Sequence, residues 1–278
     1  MNAGGETPRG AGAGGAGDTG DLERLANRIR FHSARMVARD QLGYLGQALS
    51  SAELIAGLFG RHLRPGRDHL VVSPGHYMVA IFAAGAETGR LEVAELESYG
   101  RNGSRLEAIG SERSPVADIT CGSLGQGLSA GIGLALSDRL RRRDGTTFVL
   151  LSDGEMEEGQ VWEAAMFAAH QRLERLVVLL DCNNSQVDGP VDSVTTLEPV
   201  AEKWTAFGWE AIEIDGHDVA AVQAALEASI RAIRPAVIVA RTSVRQGLGC
   251  LPPDTDGHFV KLPPELAVRV LAELEGAR

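Results

Sequence analysis

The chain has 278 residues, 44% hydrophobic and 23% charged, with 37 acidic against 27 basic side chains and a formal net charge of -10. That length suits one large α/β domain or two small ones, and the acidic balance excludes nucleic acid as the main partner, because phosphate neutralisation needs a basic face. No apolar run is long enough to span a bilayer, and three cysteines with no CxxC pair and no visible signal peptide point to reduced thiols in a cytoplasmic protein.

Residues 1–20 are rich in Gly and Ala and poor in large apolar groups, so a disordered tail is expected there, followed by one α/β domain over 21–278. Gly10 to Gly15 spell GxGxxG, but no strand precedes them, and the match carries no nucleotide reading. From Asp21 onward Leu22, Leu25, Ile29 and Met36 recur at helical spacing. A helix is predicted over 50–63, with Leu54, Ile55, Leu58 and Phe59 on one face. His69 to Val72 is a short strand, and Ser73-Pro74-Gly75 turns into a helix over 76–88, with a small helix near 92–98. Residues 99–118 show little periodicity, and a loop of that length is usually functional. Ile119 to Cys121 is a brief strand, after which Gly122-Ser123-Leu124-Gly125-Gln126-Gly127 opens a helix to about Arg143. Arg141, Arg142 and Arg143 close that helix, where cations suit its dipole.

An apolar strand from Thr147 ends in Asp153-Gly154, a helical segment follows, and a second apolar strand ends in Asp181-Cys182-Asn183-Asn184. Beyond it the pattern predicts a helix near 196–207, a strand at 209–214, a helix at 218–233, a strand at 236–241, an irregular segment over 244–264 and a short C-terminal helix. Helices alternating with near-continuously apolar strands indicate an α/β fold, a parallel sheet with helices on both faces.

Ligands of such a sheet bind outside the C-terminal ends of the strands. Asp153 and Asn183 fall at two such ends and offer hard oxygen ligands. Mg2+ takes six oxygens, few of them from protein and the rest from phosphate and water. Gly154 lacks a side chain, so its N–H is able to approach a phosphate, and a helix starting nearby would add its positive end. Together these features point to a diphosphate cofactor held through a metal.

On these residues the chain resembles the thiamine-diphosphate-binding half of transketolases, in the family's two-chain form with a separate N-terminal subunit. The resemblance rests on Ser73-Pro74-Gly75-His76, the Gly-rich turn from Gly122 to Gly127, Asp153-Gly154-Glu155 through Ala165, Asn183 through Gly189, Lys203 through Trp209, and Asp215 through Asp218. It implies that Asp153 and Asn183 bind Mg2+ together with the main-chain oxygen of Ser185. It implies that Gly154 and Glu155 belong to the diphosphate segment, and that Gly122, Ser123 and Leu124 form the turn meeting the pyrimidine and thiazolium rings. By the same resemblance His76 and His258 lie beside the diphosphate and the reacting centre, and Glu158 and Glu163 join a carboxylate network across a subunit interface. The Glu that activates the pyrimidine comes from the other half of the protein in this family. The resemblance therefore implies a C-terminal partner subunit, an α₂β₂ assembly, and small-molecule donor and acceptor substrates.

Two departures bear on the donor. Tyr44 and Ser111 stand where the family usually carries histidines that contact the donor's hydroxyls. A site that lacks such a donor discriminates against the matching hydroxyl by roughly two to five decades, so an acetyl unit from pyruvate is expected in place of an ordinary ketose phosphate. Ser152 replaces the usual Gly, a milder change. Two other readings compete. One is a non-catalytic scaffold subunit that keeps the pocket. The other is a dinucleotide-dependent oxidoreductase, suggested by the GxGxxA spacing of Gly125 to Ala130 ahead of Asp153.

Overall fold

The computed structural model describes residues 19–253, 255 and 257–277. The tail expectation, like the GxGxxG run, falls almost wholly on residues 1–18, outside the described residues. The chain runs α1 (Gly20–Asp40), α2 (Leu45–Gly57), β1 (His69–Pro74), α3 (Met78–Glu87), β2 (Ile119–Cys121), α4 (Gly127–Leu140), β3 (Thr147–Ser152), α5 (Gly159–His170) and β4 (Leu176–Cys182). It continues through α6 (Val191–Val194), α7 (Val200–Ala206), β5 (Glu210–Asp215), α8 (Val219–Ile230), β6 (Ala236–Arg241) and α9 (Pro264–Gly276).

The six strands form one sheet in the order β2-β1-β3-β4-β6-β5, and every pairing is parallel. Successive strand residues point to opposite faces, and both faces are covered. Leu70, Val72, Phe148, Leu150, Leu179 and Ile238 pack with α1, α2, α3, α8 and α9 on one side. Val71, Val149, Leu151, Val178, Leu180 and Val239 pack with α4, α5 and α7 on the other. Burial on both faces explains why these strands lack polar alternation. Among the described residues no helix is long and apolar enough to cross a membrane.

The sequence misplaces α2, which begins at Leu45, earlier than predicted, and widens after Gly57 into a π-helical turn over Leu58–His62. All thirteen of its residues are buried, the polar Gln47, Ser50, Ser51 and Glu53 included, so no solvent-facing side exists to mark its period. A buried ion pair anchors it. Arg30 Nη2 on α1 donates to both Glu53 oxygens at 2.7 and 2.5 Å, and His217 Nδ1 donates to Glu53 Oε2 at 3.1 Å. Ser243 N donates to His217 Nε2 at 2.9 Å, which fixes that tautomer. Burial pushes the Glu53 carboxyl up, but the His217 bond and the Arg30 charge outweigh it and hold the group below its ordinary range.

Other boundaries differ by a few residues. α4 starts at Gly127 rather than within the Gly-rich turn, because Gly125 adopts a left-handed φ of 84° and closes the turn first. The helix expected directly after Asp153-Gly154 is a 3-10 turn over Gly154–Glu157, and α5 starts only at Gly159. The positive end of α5 is thus displaced from Gly154.

Candidate active site

The connection from β1 runs outward to β2, whereas that from β3 runs the opposite way to β4. This reversal opens a crevice at the C-terminal ends of β1 and β3, the place where such sheets bind ligands. Ser73 to His76 line one side, and Ser152 to Glu155 the other.

Asp153 is only 5% exposed. Its Oδ1 accepts from Gly154 N at 2.9 Å and its Oδ2 from Asn184 N at 2.6 Å. The second bond ties the end of β3 to the loop after β4. Asn183 Oδ1 accepts from Ser185 N at 2.9 Å, so the three expected metal ligands are contiguous in the bonding. Burial, then the Asp181 charge, pushes the Asp153 carboxyl up to about 7. A buried acid beside a second acid is a poor resting place for negative charge and a good one for a hard cation. One carboxylate, one amide oxygen and one main-chain oxygen fit Mg2+, which draws its remaining ligands from phosphate and water. Among the described residues no cluster of three His, Cys, Asp or Glu side chains is arranged as a cage.

Beside this segment lies a cluster of rings. The Tyr44 centroid is 5.0 Å from His76 and 5.4 Å from His258, and the two imidazoles are 5.3 Å apart. Phe259 packs edge-on against Tyr44 at 5.2 Å. Gln47 Oε1 accepts from His258 Nδ1 at 2.9 Å, while its Nε2 donates to the main-chain oxygens of His258 and Tyr44 at 3.0 and 3.3 Å. With the Gln47 amide turned so that both of its ends are satisfied, His258 Nδ1 carries a proton. Burial, reinforced by the neighbouring His258, lowers His76 to about 3. The unfolded chain binds this proton below about 6.5, the folded chain only below about 3. His76 therefore removes stability as the pH falls between those values, by up to about 1.4 kcal/mol per pH unit. Histidine ring NMR should show His76 unchanged between pH 8 and 5, and a midpoint near 6.5 would contradict this environment.

The Gly-rich turn crosses the mouth of the crevice, with Gly122 and Ser123 exposed and Leu124 half-buried. Glu155 lies beneath it, fully buried. Its Oε1 accepts from Gly125 N at 2.6 Å and from the Ser73 hydroxyl, and burial pushes this carboxyl up to about 7. Glu155 thus braces the turn from below. Gly127 N donates to Ser73 Oγ at 2.9 Å, and a Cβ at Gly127 would fall 2.3 Å from the Ser73 side chain, so only glycine fits. Two amides that a dinucleotide pyrophosphate would need, Gly125 N and Gly127 N, are thus taken, which argues against the oxidoreductase reading. Glu158 and Glu163 are exposed, on the flank of α5 that also exposes Met166 (50%) and Phe167 (46%). Gly110 N donates to Gly75 O at 3.1 Å, which brings the long loop to this edge, while the Ser111 hydroxyl bonds Arg113 N at 3.4 Å within its own loop.

The residue that sequence reasoning left out is Asp181. Its carboxylate is fully buried. It accepts from Ser50 Oγ at 2.6 Å, Tyr77 OH at 2.7 Å, Asn183 Nδ2 at 2.8 Å and the Thr242 hydroxyl. Burial pushes this group up, and the four donors oppose it. The available signal was an acid at the end of an otherwise apolar strand.

The family described as transketolase, thiamine diphosphate binding domain, matches residues 22–262. The chain is 37% identical over 265 residues to the 6-deoxy-6-sulfo-D-fructose transketolase subunit SqwG of Clostridium sp. (strain MSTE9), covering 92% of this chain and 96% of that protein. It is 31% identical over 210 residues to an apulose-4-phosphate transketolase subunit of Phocaeicola vulgatus, covering 73% of this chain and 74% of that one. The crystal structure of transketolase from Campylobacter jejuni superposes with a TM-score of 0.77 at 25% identity, covering 91% of this chain but 46% of that chain.

Proposed function

The chain belongs to the transketolase family as its thiamine-diphosphate-binding domain, and from that premise we propose that it is the N-terminal subunit of a thiamine-diphosphate- and Mg2+-dependent transferase. The enzyme moves a two-carbon ketol or acyl unit from a small-molecule donor to a small-molecule acceptor. It works with a C-terminal partner subunit that supplies the pyrimidine-activating Glu, in an α₂β₂ assembly. The observation that carries this reading is the pair of strand ends. Asp153 and Asn183 directly follow β3 and β4, Asp153 Oδ2 holds Asn184 N across the two strand ends, and Asn183 Oδ1 accepts from Ser185 N within its own loop.

Asp153, Asn183 and the Ser185 main chain would hold the metal, and Gly154 would face the diphosphate. Gly122, Ser123 and Leu124 would contact the rings of the cofactor, with Glu155 supporting them from below. Bound thiamine diphosphate supplies the centre that stabilises carbanion character during carbon–carbon bond cleavage. The protein's share is positioning and proton handling. His76 is held neutral at working pH by burial, and Gln47 orients the His258 ring through its Nδ1. His76 therefore meets a substrate hydroxyl or carbonyl as a neutral imidazole, with the oriented His258 ring beside it. Glu158 and Glu163 would meet the adjoining subunit.

The two related subunits act, by their names, on a sulfonated ketose and on a ketose phosphate. In this chain Tyr44 packs over both histidines and the Ser111 hydroxyl is turned into its own loop, which favours a donor with fewer hydroxyls, such as pyruvate. The test is two-carbon transfer by the chain and its partner with cofactor and Mg2+, using pyruvate and xylulose 5-phosphate in parallel. Transfer from either supports the activity, and transfer from neither by the cofactor-loaded pair contradicts it. Exclusive turnover of the sugar phosphate overturns the pyruvate preference alone.

A further inference from the structure

Asn183 has two ends that are nearly equal in shape and opposite in chemistry. Which end faces the crevice decides whether this position binds or repels a cation. The amide nitrogen points inward, donating to Asp181 Oδ2 at 2.8 Å, to Tyr77 OH at 3.1 Å and to Ser50 Oγ at 3.3 Å. The hydroxyls of Tyr77 and Ser50 spend their own protons on the same Asp181 oxygen, at 2.7 and 2.6 Å. Each then has only lone pairs to offer Asn183. The inner wall is thus made of acceptors alone, and Asp181 is what makes it so. A flipped amide would set its oxygen against a carboxylate and two hydroxyl lone pairs, all buried, where unpaired polar groups are costly.

We propose that Asp181 is a positioning residue that selects the oxygen of Asn183 as the atom presented to the metal, an inference that rests on the functional reading above. Asp181 is not itself a ligand. It is 0% exposed, and its two oxygens already carry four donors from α2, from the turn after β1, from Asn183 and from Thr242. Replacing it by Asn keeps the volume but places N–H donors where only acceptors stood. The inner wall then accommodates either end of Asn183, and the hydroxyls of Ser50 and Tyr77 are freed to donate to a flipped amide. Outer partners that orient a metal ligand are worth about 10–100-fold in metal affinity.

The experiment is Mn2+ binding, followed by electron paramagnetic resonance, to the complex of the chain with its partner and thiamine diphosphate. Wild type and Asp181→Asn are compared after circular dichroism and melting have shown both to be folded. We expect the variant to bind Mn2+ about 10–100-fold more weakly, with excess Mg2+ restoring its turnover. Unchanged Mn2+ affinity in a folded variant, or weakened turnover that Mg2+ does not rescue, overturns the positioning role. Should Asp181→Asn not fold, Tyr77→Phe removes one inner acceptor and one donor to Asp181. It should then weaken Mn2+ binding several-fold, and unchanged affinity has the same adverse meaning. If the wild-type complex binds no Mn2+ at all, the functional reading fails before this inference is reached.

Discussion

Asp153→Ala is expected to abolish metal-dependent binding of thiamine diphosphate while leaving the fold intact. The carboxylate has two jobs in this structure. It would neutralise the metal, and its Oδ2 holds Asn184 N at 2.6 Å, so that the loop carrying Asn183 and Ser185 sits against the end of β3. On the proposed reading, losing it removes one ligand and loosens two others. Because outer partners of a metal are already worth about 10–100-fold, loss of a direct ligand should cost more than about 100-fold in cofactor affinity and in kcat/KM. The fold should survive, since burial pushes this carboxyl up to about 7 and its ionised form strains the metal-free protein. Calorimetric titration of cofactor into the variant, beside its melting curve, checks both halves. Near-normal affinity in Asp153→Ala would remove the carboxylate from the metal site, and unchanged turnover by the variant with its partner would favour the scaffold reading.

Glu53→Ala has the largest expected effect on stability. Arg30 is 2% exposed, and its guanidinium meets Glu53 at 2.5 Å. Truncating Glu53 strands that cation in the core and also removes the acceptor for His217. Breaking a buried pair from one side costs about 3–5 kcal/mol, measurable as a fall in the urea midpoint with little change in slope. Replacing both partners together by apolar residues of similar volume should recover most of the loss, because the pair's own net contribution is small. The sign with pH follows from the depressed folded value. The contribution is complete above the unfolded pKa of about 4.3 and is lost as the pH falls through the lower folded one. A loss under about 1 kcal/mol in the single variant would mean that water reaches Arg30.

The parallel sheet, its order of helices and strands, and the strand ends that carry Asp153 and Asn183 can all be read from the sequence, because burial on both faces of β1, β3, β4 and β6 leaves apolar runs with polar residues only where they stop. The rest depends on contacts between distant residues. Ser50 and Asp181 are 131 positions apart, Tyr77 and Asp181 are 104 apart, and Gln47 and His258 are 211 apart. No spacing rule links such pairs. Glu155 adjoins Asp153 and Gly154 in the sequence, yet its carboxylate turns down to Gly125 N and Ser73 and stays fully buried. The 3-10 turn over Gly154–Glu157 causes this rotation, and propensity alone does not separate it from the start of α5. The resemblance implies a departure at Tyr44, but only the fold sets its ring beside both His76 and His258.

The most direct test of the central claim is a binding isotherm for thiamine diphosphate measured on the chain alone, on the chain with its partner, and on that pair with the divalent metal removed. A shared site predicts saturable binding by the pair with Mg2+, and large losses when either the partner or the metal is withdrawn. Equal binding with and without metal, or no binding by the complete pair, would contradict it.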